Sequence, residues 1–224
     1  AADCIAAAKE AGGNVVVVTG SGPNLHEGAT TLIAELMRAG VVDGVTTSAA
    51  VVAHEMAGVL ERVKRVDGHE LGLAPTLLPR GGVFELTCPD RSQQEALDRR
   101  LPPDWELIQR IEQMEGEEII KAAGNLAYPL GMYIEKLSGV ILERAREAGQ
   151  PFEQLAGAAA DPRTMIGIGA QGALPALVSV PQLIGGGAVG LAIADSIPIS
   201  ERSARIAQML GAADVIIESA VALT

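Results

Sequence analysis

The chain has 224 residues, 48% of them hydrophobic but only 2% aromatic, so aliphatic side chains must fill the core of one large domain. Its formal net charge of −11 argues against a surface that binds DNA or RNA. The sequence contains no apolar run long enough for a membrane span and no signal-peptide pattern. Two widely separated cysteines, Cys4 and Cys88, predict no disulfide framework and fit a reducing cytoplasm.

The first quarter of the chain alternates helical patterns with valine-rich strands. Residues 2–11 predict a short amphipathic helix, and four consecutive valines predict a buried strand over 14–19. A helix at 27–39, a strand at 43–47 and a helix from Ser48 to about Leu60 follow. Strand–helix–strand–helix with short connections is typical of a doubly wound parallel sheet.

The middle of the chain is less regular, and the last third returns to the same alternation. Prolines and glycines over 61–92 predict loops with one short strand at 83–87. The later elements are helices at 102–114, 134–148, 162–171 (capped by Asp161) and 200–210, and strands at 175–180 and 213–218. Together the elements predict one α/β domain with a mainly parallel sheet.

Two glycine-rich segments and a run of hydroxyls follow predicted strands, at the edge where such sheets bind ligands. Residues 20–24 precede the helix from Glu27, so backbone N–H groups and the helix dipole can face a phosphate. The spacing is neither the dinucleotide fingerprint nor a Walker motif, and a tight turn explains these glycines equally well. Residues 46–48 can bond a ribose or phosphate, or cap the next helix. Residues 184–190 predict a second glycine-rich loop.

The three histidines do not have the spacing of a metal site. His26 lies in the first glycine loop and His54 in the helix after the second strand, so both can lie at the carboxyl edge of the sheet. The alternative for His54 is a surface or hydrogen-bonded structural histidine. His69, beside Asp67-Gly68, is more typical of a turn. No Gly-x-Ser-x-Gly elbow points to nucleophilic hydrolysis.

Six short segments stand in the order in which one enzyme family carries its motifs. They are Asn24-Leu25 with the helix to Arg38, the strand at 42–47, Ala53-His54-Glu55, the Gly-Asn-Leu-Ala-Tyr-Pro stretch at 124–129 with Tyr133, the strand and glycine segment over 174–190, and the strand at 213–218. These segments resemble the deoxyhypusine synthase family, including its archaeal-type ornithine cyclodeaminase relatives.

The resemblance implies a Rossmann-like, mainly parallel sheet with helices on both faces, NAD as cofactor, and a homotetramer with sites at subunit interfaces. Because family members use NAD to oxidise a carbon–nitrogen bond to an imine, the implied substrate is a small-molecule amine or amino acid. His54 and Glu55 are the candidates for acid–base chemistry or contacts to the substrate amine. The residues expected to contact the cofactor are Gly20, Ser21, Gly22, Asn24, Leu25, Thr46, Thr47, Ser48, Gly186, Gly187 and Gly190.

The chain also departs from the family. Gly186 replaces the aspartate of the second glycine loop, residues 50–53 replace acidic ones, and none of the four lysines matches the substrate lysine, which lies past the last strand. We therefore expect either a fragment or different chemistry, and not deoxyhypusine synthesis itself. Two alternatives to an NAD-dependent enzyme stay open. One is a ligand-binding or regulatory module without catalysis, and the other is a different α/β enzyme, such as a phosphosugar or nucleotide hydrolase.

Overall fold

The computed structural model describes residues 1–20, 22–57, 60–98, 104–122 and 131–219. The helices are α1 (Ala2–Glu10), α2 (Gly22–His26), α3 (Ala29–Arg38), α4 (Ala49–Met56), α5 (Arg91–Asp98), α6 (Trp105–Gln113), α7 (Gly131–Ala148), α8 (Phe152–Gly157), α9 (Met165–Gly172), α10 (Leu183–Ser196) and α11 (Ile199–Gly211). The strands are β1 (Val15–Thr19), β2 (Gly44–Ser48), β3 (Glu61–Asp67), β4 (Val83–Thr87), β5 (Glu117–Lys121), β6 (Ala176–Val180) and β7 (Val215–Ser219).

Four strands form an all-parallel sheet in the order β6-β2-β1-β7. Val17 of β1 lies opposite Val45 of β2 on one side and Ile217 of β7 on the other. Numbered along the chain, the four strands run 3-2-1-4, which is compatible with a Rossmann-like fold. The chain passes from β1 to β2 and β6 on one side and returns to β7 on the other. The switch point, where such sheets bind ligands, therefore lies between β1 and β7. All four predicted parallel strands are confirmed.

The main core packs aliphatic side chains between this sheet and its helices. Val17, Val45 and Val178 of the sheet belong to the same buried cluster as Ile166 of α9 and Ile193 of α10. Each such side chain contributes about 1.5–3 kcal/mol when it is fully buried. The low aromatic content is thus compensated by branched aliphatic packing.

A second sheet, antiparallel and in the order β4-β3-β5, is the part of the fold that the sequence did not predict. The strand at 83–87 is confirmed as β4, but the residues of β3 had been predicted to form a loop. β3 carries five charged residues in seven, a composition that does not indicate a strand. Ion pairs neutralise several of these charges, as between Arg62 and Glu112 and between Arg65 and Glu85.

Three local predictions need correction. The helix predicted from Glu27 begins at Ala29, and the separate helix α2 precedes it. The cap of α9 is Thr164, whose Oγ1 accepts from Gly167 N at 3.1 Å, whereas the predicted cap Asp161 binds the Arg163 side chain. The predicted second glycine loop is part of α10, with non-helical backbone at Ile184, Gly185 and Gly187. Here the glycines interrupt a helix where a loop had been predicted.

Some predicted features lie outside the described residues. They are Ser21, the start of the helix expected at Pro102, and the Gly-Asn-Leu-Ala-Tyr-Pro motif at 124–129, together with the Tyr133 side chain. In the part of the chain that the structure describes, no single helix is long and apolar enough to cross a membrane. Only α10 and α11 taken together meet that criterion, and they form a pair bent by 91°.

Candidate functional site

The loop after β1 crosses the switch point and is tied to the end of β7. Gly20 N donates to Ser219 O at 2.9 Å. The Asn24 side chain donates from Nδ2 to the same carbonyl at 2.7 Å, and its Oδ1 accepts from Ser219 Oγ at 3.1 Å. Asn24 is 5% exposed and Leu25 only 1%. Both were predicted to contact a cofactor, but these side chains hold the strand ends together and fill the core, which leaves the backbone of Gly20 and Gly22 as the candidate ligand contacts.

The beginning of α3, the predicted phosphate position, is covered by the second sheet. Gly28 precedes α3 with φ +72°, and a Cβ on it would lie 2.7 Å from Ile119 Cγ2 and 3.0 Å from Ile120 O. Thr31 Oγ1 donates to Ile120 O at 2.9 Å. A diphosphate cannot occupy this position because β5 already does. The glycine is required there by a left-handed conformation and by close packing.

Four charged side chains form a cluster where the two sheets meet, hereafter the ion-pair cluster: Glu27, Arg65, Glu85 and Lys121. Arg65 donates from Nη1 to Glu27 Oε2 at 2.7 Å and from Nε to Glu85 Oε2 at 2.9 Å. Lys121 Nζ donates to Glu85 Oε1 at 2.6 Å. The hydrogen bond from Arg65 lowers the pKa of Glu27. Burial opposes ionisation of Glu85, but its bonds from Lys121 and Arg65 lower its pKa overall.

Sequence reasoning missed Arg65, Glu85 and Lys121 of this cluster, and Lys121 is the most deeply buried of the three. Its side chain is only 2% exposed, although lysine is rarely buried. The signal available in the sequence was weak: Lys121 follows Ile119 at the two-residue spacing of a strand face, and both side chains are buried.

His54 and His26 meet beside the ion-pair cluster. Their ring centroids are 6.5 Å apart, with the ring planes at 69°. The His54 side chain is half-buried, and that burial lowers its pKa, with the neighbouring His26 as a further cause. A hydrogen bond with the backbone of Ala122 acts in the opposite direction. Because Ala122 follows Lys121, this contact brings α4 against the end of β5.

Glu55, the other predicted catalytic residue, is buried between α4 and the start of α9. It is 1% exposed, and its carboxylate accepts from Met165 N at 3.2 Å and from Ile166 N at 3.0 Å. These are the first two N–H groups of α9, which have no partner within their own helix. Burial raises the pKa of Glu55 to about 7, although both hydrogen bonds oppose the shift. The geometry gives Glu55 a helix-capping role and no route to a substrate.

The three hydroxyls predicted to contact the cofactor are all buried at the carboxyl end of β2. Thr46, Thr47 and Ser48 are between 1% and 5% exposed. None of their hydroxyl oxygens has a hydrogen-bond partner among residues 1–20, 22–57, 60–98, 104–122 and 131–219. A buried polar group left without a partner costs about 1–3 kcal/mol. Successive side chains of a strand point to opposite faces of the sheet, so these three buried hydroxyls do not form one open ligand surface.

The three glycines of α10 fall into two kinds. A Cβ on Gly186 would lie 2.8 Å from Ala49 Cβ, and one on Gly190 would lie 1.9 Å from Gln182 O. Both therefore serve close packing, against α4 and against the chain entering α10, and neither is open to a ligand. Gly187 has φ +54°, is exposed, and has no described atom within 4 Å of an added Cβ. Of the three, only Gly187 retains the open backbone expected of a ligand contact.

A cavity of about 420 Å³ lies at the opposite, amino end of the parallel sheet. Its walls include Asn14 and Asp43 at strand starts, Glu153 of α8, and Arg205 and Met209 of α11. None of the predicted site residues lines it. Within the described ranges, no group of three or more His, Cys, Asp or Glu side chains could hold a metal ion.

Comparison of the chain with models of known protein families found no match, and neither did comparison with curated proteins. The fold and the site define an α/β protein with a parallel sheet and a polar, histidine-containing carboxyl edge. The likeness to the deoxyhypusine synthase family rests on the short motifs themselves.

Proposed function

We propose that this chain is an NAD-dependent enzyme that oxidises a carbon–nitrogen bond of a small amine or amino acid. The observation that carries the proposal is the strand order β6-β2-β1-β7, with the backbone of Gly20 and Gly22 at the switch point between β1 and β7. In doubly wound sheets this crevice takes dinucleotides. The short motifs shared with the deoxyhypusine synthase family support the same cofactor.

Two features around the crevice support a dinucleotide. Glycine at positions 20 and 22 permits close approach of a phosphate to the backbone, although Gly20 N itself donates to Ser219 O. The negative charge of Glu27, which would repel a diphosphate, is held by Arg65 on the second sheet.

NAD, when bound, accepts a hydride from the carbon next to the substrate nitrogen. Conversion of an ammonium to an iminium also releases one proton from nitrogen, and that proton needs an acceptor. His54 suits this role because burial lowers its pKa, which favours the neutral imidazole, and a neutral imidazole has one nitrogen that accepts. Glu55 takes no part in this step, since both its oxygens serve α9.

The proposed assembly is a homotetramer. Support comes from exposed apolar side chains around the start of α10: Leu183 is 60% exposed, Ile184 85% and Leu191 52%. Edge strand β6 ends beside them with Val180 49% exposed. An uncharged apolar surface on a chain of net charge −11 suits contact between identical copies.

The first test is to denature the purified protein and identify the released small molecules by mass spectrometry, followed by calorimetric titration with NAD. We expect Gly22→Val to lower NAD affinity at least tenfold while the melting temperature stays within a few degrees, because the added side chain blocks the phosphate. Gly139→Val, at an exposed glycine of α7 with open space around it, is the matched control. Unchanged affinity in a folded Gly22→Val protein would contradict the proposed site.

Other outcomes of the same experiment separate the alternatives. Release of a phosphorylated compound without nicotinamide would favour a different phosphate-binding enzyme. NAD binding without hydride transfer to any tested amine or amino acid would favour a nucleotide-binding module.

A further inference from the structure

We propose that the cavity at the amino end of the parallel sheet is a second binding site, for a small uncharged molecule that has an aliphatic body and donates hydrogen bonds. Its volume of about 420 Å³ lies within the range of small-molecule pockets, about 300–1,000 Å³. The cavity lies at the other end of β1 from Gly20, so the inference does not depend on the proposed function.

The floor of the cavity is aliphatic. Val16 of β1, Ile166 of α9 and Leu177 of β6 are between 1% and 8% exposed, and Leu174 and Met209 extend the same apolar surface. None of the described residues that line the cavity is aromatic, so the wall offers no ring on which a planar ligand could stack. An aliphatic chain is therefore the body that this floor fits.

Of the described residues that line the cavity, three are charged: Asp43, Glu153 and Arg205. All three are paired within the protein. Lys9 Nζ donates to both carboxylate oxygens of Asp43 at 2.8 Å, and Arg205 donates from Nη2 to Glu201 Oε1 at 2.6 Å. A charged ligand would have to compete for these partners or lose its hydration without compensation. The wall therefore favours an uncharged molecule.

Glu153 determines which hydrogen-bonding group the wall lacks. Its Oε1 accepts from Val178 N at 2.9 Å and from the Arg202 guanidinium, which balances the negative charge. Its Oε2 is buried and accepts from no group in the part of the chain that the structure describes. Because a buried acceptor without a donor is unfavourable, the missing group is a donor. The charge balance with Arg202 favours a neutral donor such as an amide N–H.

Two glutamines at the rim supply further acceptors. Gln154 of α8 and Gln208 of α11 both line the cavity and are exposed. Neither side-chain amide bonds another residue within the described ranges. Each carries a carbonyl oxygen with two lone pairs, so both can accept from the same kind of ligand group as Glu153.

The test follows the Met209 methyl signal by NMR, assigned with Met209→Leu, while N-methylhexanamide is added to the wild-type protein at pH 7. We expect a shift that saturates in the millimolar range typical of so small a ligand. Methyl hexanoate has the same shape but no N–H, so it should bind roughly fivefold more weakly. Hexanoate and hexylammonium are charged at this pH and should bind roughly tenfold more weakly.

Variants at the rim locate the bound probe. Gln154→Leu combined with Gln208→Leu should weaken N-methylhexanamide binding roughly fivefold, because both acceptors are lost. Gln171→Leu, at an exposed glutamine of α9 that does not line the cavity, is the matched control and should leave the affinity unchanged.

The wild-type titrations decide the proposal even if the double variant does not fold. A Met209 signal that N-methylhexanamide does not move would overturn the binding site. Tighter binding of methyl hexanoate, hexanoate or hexylammonium than of the amide would overturn the assigned ligand chemistry. So would equal affinities in the folded double variant and in Gln171→Leu.

Discussion

Arg65 of β3 and Glu27, which stands just before α3, form an ion pair that joins the antiparallel sheet to the parallel one. The Nη1–Oε2 distance is 2.7 Å, and the same guanidinium bonds Glu85 through Nε and the His26 carbonyl through Nη2. One side chain thus connects β3, β4 and the loop that leads from the switch point. The pairing gives the negative charge of Glu27 a cationic partner on the second sheet.

Replacing Arg65 with methionine should lower the free energy of unfolding by about 1–3 kcal/mol, because it leaves Glu85 with one cation in place of two. The share from Glu27 is small, since this carboxylate is 57% exposed and solvent screens it. Arg91→Met is the matched control: Arg91 is 93% exposed in an i,i+4 pair with Glu95, so we expect a change within about 0.5 kcal/mol. Urea denaturation measures both, and equal effects would contradict the connecting role of Arg65.

The contrast between the two sheets indicates what the sequence could predict. Runs such as the four valines of β1 identify buried parallel strands because their composition and their burial agree. β3 was missed because Arg62, Lys64 and Arg65 indicate solvent exposure, and only partners brought in from distant segments make the strand favourable. The roles of individual side chains were likewise predictable only where they depend on local sequence. The glycines and hydroxyls that follow β1 and β2 can be located from local pattern, whereas the burial of Lys121 depends on tertiary contacts.

The burial of Glu55, like that of Lys121, depends on tertiary contacts and is not visible in the local sequence. Its buried carboxyl should also make the stability of the protein depend on pH. Its pKa rises from 4.5 in the unfolded chain to about 7 in the fold, so the folded protein binds more protons between these values. Stability contributed by this group is fully present below pH 4.5 and is lost as pH rises through 7, by about 3 kcal/mol in total. Glu55→Gln removes the titration. The decrease in unfolding free energy from pH 5 to pH 8 should therefore be smaller in Glu55→Gln than in the wild type. Equal decreases in the two proteins would contradict the raised pKa of Glu55.

The exposed apolar surface at the start of α10 should control assembly. We expect wild-type protein at micromolar concentration to scatter light as a homotetramer, and Ile184→Asp to dissociate it, because a charge replaces an 85% exposed apolar side chain. Leu77→Asp is the control, since Leu77 is 76% exposed in the short helical turn Pro75–Leu77, in a different segment. A monomeric wild type would contradict both the assembly and the family resemblance that implied it.

Substitution of Asn24 can distinguish a structural role from a ligand-binding role for this residue at the switch point. Its side chain bonds Thr19 Oγ1, Ser219 O and Ser219 Oγ, which join the ends of β1 and β7. Asn24→Ala removes the bonds that this amide makes with Thr19 Oγ1 and Ser219 Oγ, while Ser219 O still accepts from Gly20 N, so the free energy of unfolding should fall by about 1–3 kcal/mol. Asn14→Ala, which removes one exposed bond to Ala212 O at the other end of the sheet, should change it by less than about 0.5 kcal/mol.

The decisive comparison is between stability and affinity in the same Asn24→Ala protein. Because the amide is occupied by the strand ends, the folded fraction should bind NAD with nearly the wild-type affinity, as calorimetry below the melting temperature would measure. A variant that keeps full stability but loses NAD binding would show that Asn24 faces the ligand after all, as its place in the motif at the end of β1 first predicted.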